Sequence, residues 1–234
     1  MDEPMADSAI IPSYILSKQA RDQNIKVILC GAGGDELFGG YHRHYQSLRD
    51  KLAGQLTAIP LRFWNTLSRI VHPKIGHYGG LTWDKGTAFG LGTSGVHLGF
   101  FENLLSNSKD YMKGMELTKS QFSSLSNLEN NYGFGYGRML TDVQNYLVDN
   151  VLAVTDRTSM ATSVEARVPF LDHRLVELAF SVPEHVNIGC SFKDTKISLK
   201  AAIKAEIPAK ILSMPKTGFN GPVYDWIRKK HSKF

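Results

Sequence analysis

A cluster of glycines followed by two carboxylates is the first candidate for chemistry in this sequence. Residues 31–34 read Gly-Ala-Gly-Gly, and Asp35 and Glu36 follow directly. Glycines remove side chains, so backbone N–H groups there can approach a nucleotide or another anion closely. Mg²⁺ prefers one or two carboxylates together with phosphate oxygens and water, which makes Asp35 a candidate metal ligand. The alternative is a tight turn before a capped helix, with no ligand.

A second stretch, residues 156–172, alternates charged with apolar side chains. Many of its other residues are small or β-branched, which is unusual for a purely solvated helix face. Because buried charges persist only when they are paired, we predict a structural ion-pair network within this stretch. The groups in this network are Asp156, Arg157, Glu165, Arg167 and Asp172.

Lysines in the last third of the chain could act on phosphates. Lys196 lies near the start of a predicted helix, and Lys216 opens the sequence Lys-Thr-Gly-Phe. An ammonium group beside bound phosphates would neutralise the charge that develops in an adenylation transition state. Lys196 is therefore a candidate catalytic residue, and a solvated helix lysine is the alternative.

These groups need elements that place them. Pro12 and the apolar residues that follow it to Ala20 at helical spacing predict a helix. Residues 26–30 read Lys-Val-Ile-Leu-Cys, which predicts a central parallel strand with both faces covered. The glycine-rich loop then begins at the carboxyl edge of this strand, where open α/β sheets bind their ligands.

Elsewhere the sequence predicts mainly helices. Between residues 45 and 125 glycines are frequent and only residues 60–71 are clearly amphipathic, so we expect short helices and long loops there. Apolar spacing predicts further helices at residues 139–151, 173–180 and 195–206, with Pro208 closing the last of them.

The composition of the 234-residue chain is typical of a soluble globular protein. Its 27 basic and 22 acidic residues give a net charge of +5 spread along the chain, so an argument for nucleic acid would rest on charge alone. No window reaches the roughly 18 apolar residues of a membrane span, and no signal peptide is evident, so we expect a cytoplasmic protein. Neither the cysteines, Cys30 and Cys190, nor the histidines, His42 and His44, form a metal-binding pattern.

In order along the chain, these stretches resemble the synthetase domain of the asparagine synthetase family. Members of that family read close to SGxGGDELFGGY, DRxSMAxSxEARVPFLD, KxxLR and KxGFxxP. This chain has CGAGGDELFGGY at residues 30–41, a nearly unchanged second motif at 156–172, then Lys196, and Lys-Thr-Gly-Phe at 216–219. The resemblance covers residues 1–234 and implies the C-terminal portion of a synthetase domain. The implied fold is α/β, part of a Rossmann-like ATP-pyrophosphatase domain of the adenine nucleotide alpha hydrolase type, mostly helical in this portion.

The resemblance also implies ATP-dependent amidation of aspartate. In the family, ATP converts aspartate to β-aspartyl-AMP with release of pyrophosphate, and ammonia derived from glutamine then attacks the activated carbonyl. By position, Asp35 would hold Mg²⁺ and Lys196 would stabilise the pyrophosphate. The residues that would contact ATP are Cys30, Gly31, Gly33 and Gly34.

Three positions depart from the family pattern. Ala32 replaces a residue that is often acidic and takes part in forming the adenylate in some members. Cys30 replaces the usual serine and keeps only a weak hydrogen-bonding group. Lys200 replaces an arginine and loses its bidentate fork. Ala32 leaves open whether the parent enzyme acts on aspartate or on another carboxylate.

The family's pyrophosphate-cradling SGGxDS loop and its glutaminase domain do not occur in these 234 residues. We therefore expect the chain to be incomplete and inactive alone, with the missing N-terminal half supplied by the parent protein or in trans. Without that half, sheet edges would be uncovered. The alternatives are a non-catalytic remnant or binding subunit, and an amidotransferase for another carboxylate.

Overall fold

The computed structural model describes residues 5, 7–45, 63, 66, 85–93, 108–214, 216–219 and 221. Most of these residues are helical, and two short strands form one parallel sheet. The described part of the chain is therefore a mostly helical α/β structure.

The elements follow one another in a simple order. The α-helices are α1 Ile10–Asp22, α2 Gly34–Leu37, α3 Lys85–Thr93, α4 Ser108–Gln121, α5 Leu125–Tyr132, α6 Phe134–Gln144, α7 Ala153–Met160, α8 His173–Ser181, α9 Glu184–Asn187, α10 Ile197–Ala202 and α11 Ala209–Leu212. The strands are β1 Val27–Leu29 and β2 Glu165–Arg167. A π-helix, Leu147–Leu152, lies between α6 and α7, and 3₁₀ helices span His42–His44, Pro169–Leu171 and Phe192–Asp194.

Strand β1 forms inside the segment that the sequence predicts, and it pairs with a strand that the sequence analysis missed. In the parallel register Val27 lies beside Glu165, and Leu29 lies beside Arg167. The Cys30 N–H extends the ladder by donating to the Arg167 carbonyl at 2.7 Å. Strand β2 was missed because two of its three residues are charged, whereas β-branched and aromatic residues are the usual signal of a strand.

The expectation that both faces of β1 are covered is wrong for the described residues. The side chains of Val27 and Leu29, which share one face, are 41% and 75% exposed. Ile28, on the opposite face, is half-buried. A strand covered on both sides needs a packing layer on each, and within the described residues only the Ile28 side has one.

Helix α1 is fixed at its start by Asp7 and packs along its length against α7. Asp7 Oδ1 accepts a hydrogen bond from the Ala9 N–H at 2.8 Å, and Oδ2 accepts one from Asn150 Nδ2 at 2.7 Å. Pro12 lies in the first turn, where its missing N–H has no helical partner to lose. The predicted helix is confirmed and extends two residues beyond the prediction at each end.

The other helix predictions are confirmed in place and corrected in detail. The helical segment predicted at 139–151 crosses from α6 into the π-helix 147–152, a helix type that apolar spacing does not distinguish. Helix α8 lies as predicted. Helix α10 begins two residues later than the predicted 195–206, because the left-handed Lys196 precedes it, and it ends earlier, at Ala202. Pro208 precedes α11 as its N-cap and does not close α10. The helix predicted at 60–71 lies outside the described residues, apart from Phe63 and Thr66.

An apolar core lies directly beneath the glycine-rich loop. Its fully packed centre is formed by Leu37, Phe38 and Ala179. Partly buried side chains from the segment after β2, from α6, from α8 and from α10 surround this centre: Val143, Phe170, Leu171, Leu175, Val176, Phe180 and Leu199. Burial of each large apolar side chain contributes roughly 1.5–3 kcal/mol, so this core holds the end of α2 in place.

Replacing Gly33 by alanine is expected to destabilise the fold. Gly33 has a φ of +90°, and a Cβ there would overlap the Leu171 side chain. Strain of this kind costs roughly 1–3 kcal/mol. Urea unfolding should show a lower midpoint for Gly33→Ala than for the unchanged protein. Gly31→Ala is the control, because a Cβ there meets no described atom within 4 Å; equal midpoints for the two variants would contradict this loop geometry.

Candidate functional site

The candidate site lies where β1 ends and α2 begins. The loop from Cys30 to Gly33 turns the chain so that the Gly34 N–H donates to the Gly31 carbonyl at 3.2 Å. Asp35 follows in the first turn of α2, and the Gly40 N–H donates to its carbonyl at 2.7 Å. The short β1 strand and this closed loop together place the Asp35 side chain at the carboxyl edge of the sheet.

Asp35 lies between two lysines that come from distant parts of the chain. Lys196 Nζ lies 2.6 Å from Asp35 Oδ1, and Lys216 Nζ lies 2.5 Å from Oδ2. The three side chains are 20–28% exposed, so the cluster is partly withdrawn from water but can still be reached from it. Oδ1 itself is buried and receives no aligned hydrogen bond, although Lys196 is close to it.

The two ammonium groups decide the protonation state of Asp35. Burial raises the pKa of this carboxyl group, but the positive charge of Lys196 and the charge and hydrogen bond of Lys216 outweigh burial and hold the pKa below its ordinary value of 3.8. Asp35 is therefore ionised at neutral pH. The cluster carries one negative and two positive charges, a net positive charge that suits phosphate groups.

Lys196 reaches Asp35 from an unusual backbone conformation. Its φ of 57° and ψ of 43° are left-handed, and it is the N-cap residue of α10. For a residue with a Cβ this conformation costs roughly 1–2 kcal/mol, so the surroundings must impose it. Its N–H donates to the Phe38 carbonyl at 3.1 Å, which ties the start of α10 to the segment that carries Asp35.

The neighbouring carboxylate, Glu36, is turned away from this cluster. Glu36 is 1% exposed, and its Oε1 accepts a hydrogen bond from the Tyr41 hydroxyl at 2.7 Å. Burial raises the pKa of Glu36, and the Tyr41 hydrogen bond offsets only part of that rise. Glu36, the second carboxylate after the glycine cluster, therefore does not join Asp35 in this cluster.

A cluster of polar side chains, formed by Arg43, His44 and Asp142, supports Tyr41. The Arg43 guanidinium lies over the rings of Tyr41 and Tyr146, at 4.1 and 4.6 Å from their centroids. Its Nε donates to Asp142 Oδ2 at 2.8 Å, and His44 Nε2 lies 2.7 Å from the same oxygen. Burial lowers the pKa of His44 and outweighs the carboxylate's effect, so the ring is neutral and Nε2–H donates. This group holds the 3₁₀ helix 42–44 against α6.

One side of the loop is open. A Cβ built on Gly31 meets no described atom within 4 Å, whereas one on Gly34 would lie 3.3 Å from the Phe170 ring and 3.8 Å from Lys196 Nζ. Packing within the described residues therefore requires a small residue at position 34 but not at position 31. The space beside Gly31 can admit a ligand close to the backbone.

The comparisons with known proteins agree with this arrangement of motifs. The family model described as asparagine synthase matches residues 1–234. The chain belongs to the asparagine synthase family. A Mycobacterium tuberculosis (strain H37Rv) protein named as a candidate glutamine-hydrolyzing asparagine synthetase is 29% identical over 97% of this chain and 34% of its own length. The glutamine-hydrolyzing asparagine synthetase 1 of Bacillus subtilis (strain 168) is 28% identical over 100% of this chain and 36% of its own length.

A relative with a different name also matches. The amidase chyE of Penicillium rubens is 24% identical over 95% of this chain and 36% of its own length. The chain thus spans about a third of the length of the curated relatives it matches. The comparison with solved structures gave no significant match.

In this asparagine synthase family member, the residues predicted for nucleotide, metal and catalysis lie in one loop and at the starts of the two helices α2 and α10. Gly31, Gly33 and Gly34 form the loop, and Asp35 meets Lys196 there. Cys30 ends β1 with its Sγ 4.0 Å from Thr155 Oγ1. Ala32 is buried, with 9% of its surface exposed, and contributes only a methyl group to the loop.

The charged stretch at 156–172 differs from the predicted buried network. Glu165 and Arg167 do pair, at 2.8 Å, but their side chains are 57% and 64% exposed. Both side chains lie on the same side of β2, which faces outward, so the pair is a surface contact of small energetic value. Asp172 pairs with Arg174 at 2.8 Å and caps α8. Asp156 and Arg157 are exposed on α7.

The sequence analysis missed several residues of this neighbourhood. Lys216 was recognised within a motif but only Lys196 was predicted as a catalytic residue, although the position of Lys216 between Pro215 and Gly218 marked a non-helical segment in which a lysine is not a helix-surface residue. Asp142 was missed although its position, three residues after Met139 and four before Tyr146, puts a carboxylate at helical spacing from apolar residues, which was a usable signal. Neither Arg43 nor His44 carried a local signal for its contact with Asp142.

The part of the chain that the structure describes has neither a metal-ligand cluster nor a membrane-spanning helix. It contains no group of three or more histidine, cysteine or carboxylate side chains that could hold a metal ion. His42 instead lies against the Phe192 ring, at 4.9 Å between centroids. None of the described helices is long and apolar enough to cross a membrane.

Removing one lysine is expected to raise the pKa of Asp35. In Lys216→Met the burial of Asp35 is opposed by one ammonium group instead of two, so its carboxyl pKa should move upward from the present depressed value. The Asp35 pKa is lower in the folded than in the unfolded protein, so ionised Asp35 stabilises the fold fully above about pH 3.8. This stabilisation is lost as the pH falls through the folded-state pKa. As the pH falls, Lys216→Met should therefore lose the stabilisation from Asp35 at a higher pH than the unchanged protein does.

Carboxyl ¹³C chemical shifts recorded against pH would measure this change directly. The matched control is Lys210→Met, an exposed lysine of α11. An unchanged Asp35 titration in Lys216→Met would show that Lys216 does not hold the carboxylate.

Proposed function

We propose that this chain forms one wall of an ATP-dependent amide-forming site, as part of an enzyme that converts aspartate to asparagine. The observation that carries the proposal is the meeting of Asp35, Lys196 and Lys216 beside a glycine-rich loop with one open side. Family membership supplies the reaction class, and the charge arrangement supplies a reason for these residues to lie together.

The proposed reaction has two steps. A carboxylate oxygen of aspartate attacks the α-phosphorus of ATP, the bond to the β-phosphate breaks, and β-aspartyl-AMP and pyrophosphate form. Ammonia then attacks the acyl carbon, AMP leaves with the electron pair of the C–O bond, and a proton is released. The ammonium groups of Lys196 and Lys216 stabilise the negative charge that grows on the departing pyrophosphate.

The loop binds the nucleotide through its backbone in this proposal. The open side at Gly31 lets phosphates or ribose approach the chain within van der Waals distance. Gly33 and Gly34 form the turn that brings Lys196 over the loop, and Cys30 begins it. None of these residues contributes an acid or a base, so their part is positioning.

Asp35 fits the role of a Mg²⁺ ligand. Its ionised carboxylate lies at the carboxyl edge of the sheet, and a single carboxylate suffices where phosphates and water would supply the other ligands. A bound Mg²⁺ would neutralise phosphate charge. The lysines would then contact phosphate oxygens in place of part of their present contact with Asp35.

We further propose that residues 1–234 are the C-terminal portion of a synthetase domain with a Rossmann-like ATP-pyrophosphatase fold. Two observations support this: the parallel β1–β2 pair with the site at its carboxyl edge, and the exposed face formed by Val27 and Leu29. The rest of the domain, in the same polypeptide or in trans, would cover that face. Ammonia would come from glutamine hydrolysed elsewhere in the enzyme.

A second candidate is amidation of a carboxylate other than aspartate. Ala32 places a methyl group where the family pattern often has an acidic residue, and a relative of similar coverage is named an amidase. A panel of carboxylic acids in the pyrophosphate-release assay distinguishes the candidates. Faster release with aspartate than with any other acid of the panel favours asparagine synthesis.

Pyrophosphate and asparagine are expected when the chain is combined with the remainder of a synthetase domain. That remainder can be taken from the Bacillus subtilis relative, and the assay needs ATP, Mg²⁺, aspartate and ammonia. Asp35→Asn should lower kcat by at least about a hundredfold, because it removes the carboxylate at the centre of the cluster. Pyrophosphate release by the chain alone would contradict the need for the rest of the domain. If the combined proteins bind nucleotide but release no pyrophosphate, the chain is better explained as a non-catalytic subunit.

Filling the open side of the loop is expected to weaken nucleotide binding. Gly31→Val adds a side chain to space that is empty of described atoms, so ATP affinity should fall about tenfold or more, roughly 1.4 kcal/mol. Gly114→Val is the matched control, since a Cβ there also meets no described atom within 4 Å. Titration calorimetry with ATP and Mg²⁺ measures both, and equal affinities would place the nucleotide elsewhere.

A further inference from the structure

Asn187, the last residue of α9, joins three elements through one buried side chain. It is 1% exposed. Its Nδ2 donates to the Leu37 carbonyl at 2.9 Å and to the Ala179 carbonyl at 3.1 Å. Its Oδ1 accepts from Ser198 Oγ at 2.5 Å. Neither the motifs nor the reaction assigns Asn187 a role.

The three partners of Asn187 belong to the parts of the fold that meet at the site. Leu37 ends α2, the single turn that carries Asp35. Ser198 lies in the first turn of α10, two residues after Lys196. Ala179 belongs to α8, whose side chains form the core beneath the loop. One amide therefore connects the element of the carboxylate with the element of the lysine.

Only an amide side chain suits this position. Two carbonyls need two donated hydrogens, and a serine hydroxyl needs an acceptor; asparagine has this combination on a short side chain. A carboxylate would set its oxygens against the Leu37 and Ala179 carbonyls, and an apolar residue would leave buried polar groups unpaired. The three bonds use both amide hydrogens and the amide oxygen, so the Asn187 side chain needs no ligand to complete its hydrogen bonding.

We propose that Asn187, through Ser198, is a positioning residue that holds Lys196 against Asp35, and this role rests on the proposed function. The left-handed backbone of Lys196 needs support on both sides. The Phe38 carbonyl supports it through the Lys196 N–H, and the Ser198–Asn187 bond supports it from the helix side. Together they fix the ammonium group 2.6 Å from the carboxylate.

Ser198→Ala cuts this connection with little risk to folding. It removes one hydroxyl and leaves both Asn187 bonds to the backbone carbonyls in place. Ser198→Thr keeps the hydroxyl and serves as the rescuing variant. Ser213→Ala is the matched control, because that hydroxyl bonds only locally, to the Lys210 carbonyl on an exposed surface.

The first measurement needs no turnover. Exchange of the Lys196 backbone amide with solvent deuterium, followed by NMR in the chain itself, should be at least tenfold faster in Ser198→Ala than in the unchanged protein. The global unfolding midpoint should fall somewhat below that of Ser213→Ala, because the buried Asn187 Oδ1 loses its donor, so exchange is compared well below both midpoints. Ser198→Thr should restore slow exchange. Unchanged exchange in Ser198→Ala would overturn the proposal.

The second measurement uses the combined enzyme of the preceding section. Ser198→Ala should lower kcat for pyrophosphate release several-fold with little change in KM for ATP, and Ser198→Thr should recover the rate. In a Lys196→Met background, Ser198→Ala should cause no further loss. A full further loss in that background would overturn the proposal, because Ser198 would then act by another route.

The two measurements separate this inference from the function on which it rests. If the combination releases no pyrophosphate under any condition, the proposed function fails, whereas the exchange of the Lys196 amide still decides whether Asn187 and Ser198 hold that residue.

Discussion

The pairing of one carboxylate with two ammonium groups is the interaction on which the site depends. Asp35 and Lys216 are 181 positions apart, yet their charged atoms touch. Such a contact persists because partial burial lowers the effective dielectric and strengthens the attraction. Partial burial also costs solvation for each ion, so Asp35 depends on its ammonium partners to remain charged at this depth. The same charges suit phosphates on the lysine side and a divalent cation on the carboxylate side.

Buried polar groups around the cluster turn this electrostatic contact into a defined geometry. The Tyr41–Glu36 hydrogen bond fixes one end of the loop segment, and the His44–Asp142 pair fixes the helix behind it. Asn187 connects the turn that carries Asp35 with the helix that follows Lys196. Buried polar groups whose hydrogen bonds are all made within the protein form rigid networks. The site is therefore supported mainly by hydrogen bonds, over an apolar core that lies beneath α2.

Sequence reasoning succeeded for β1, for the glycine-rich loop, and for the helices with strong apolar periodicity, α1 and α8. It failed for β2, whose charged ends hide a three-residue strand, and for the extent of α10, where a left-handed residue delays the helix. It also assigned the charges at 156–172 to the interior, whereas Glu165 and Arg167 form their pair on the surface. These failures share one origin: strand pairing, the left-handed backbone of Lys196 and the burial of charges are all set by contacts with residues that lie far away in the chain.

The sequence by itself determined the strand, the turn after it and the family motifs, because these depend on residue types within a few positions of one another. Only the tertiary structure decided that Lys216 joins Lys196 at Asp35, that Glu36 turns inward, and that Asn187 connects their elements. Such contacts depend on the path of the whole backbone, which brings together groups that no local pattern relates. The physical reason is that charges and hydrogen bonds act over a few ångströms of space, whatever their separation along the chain.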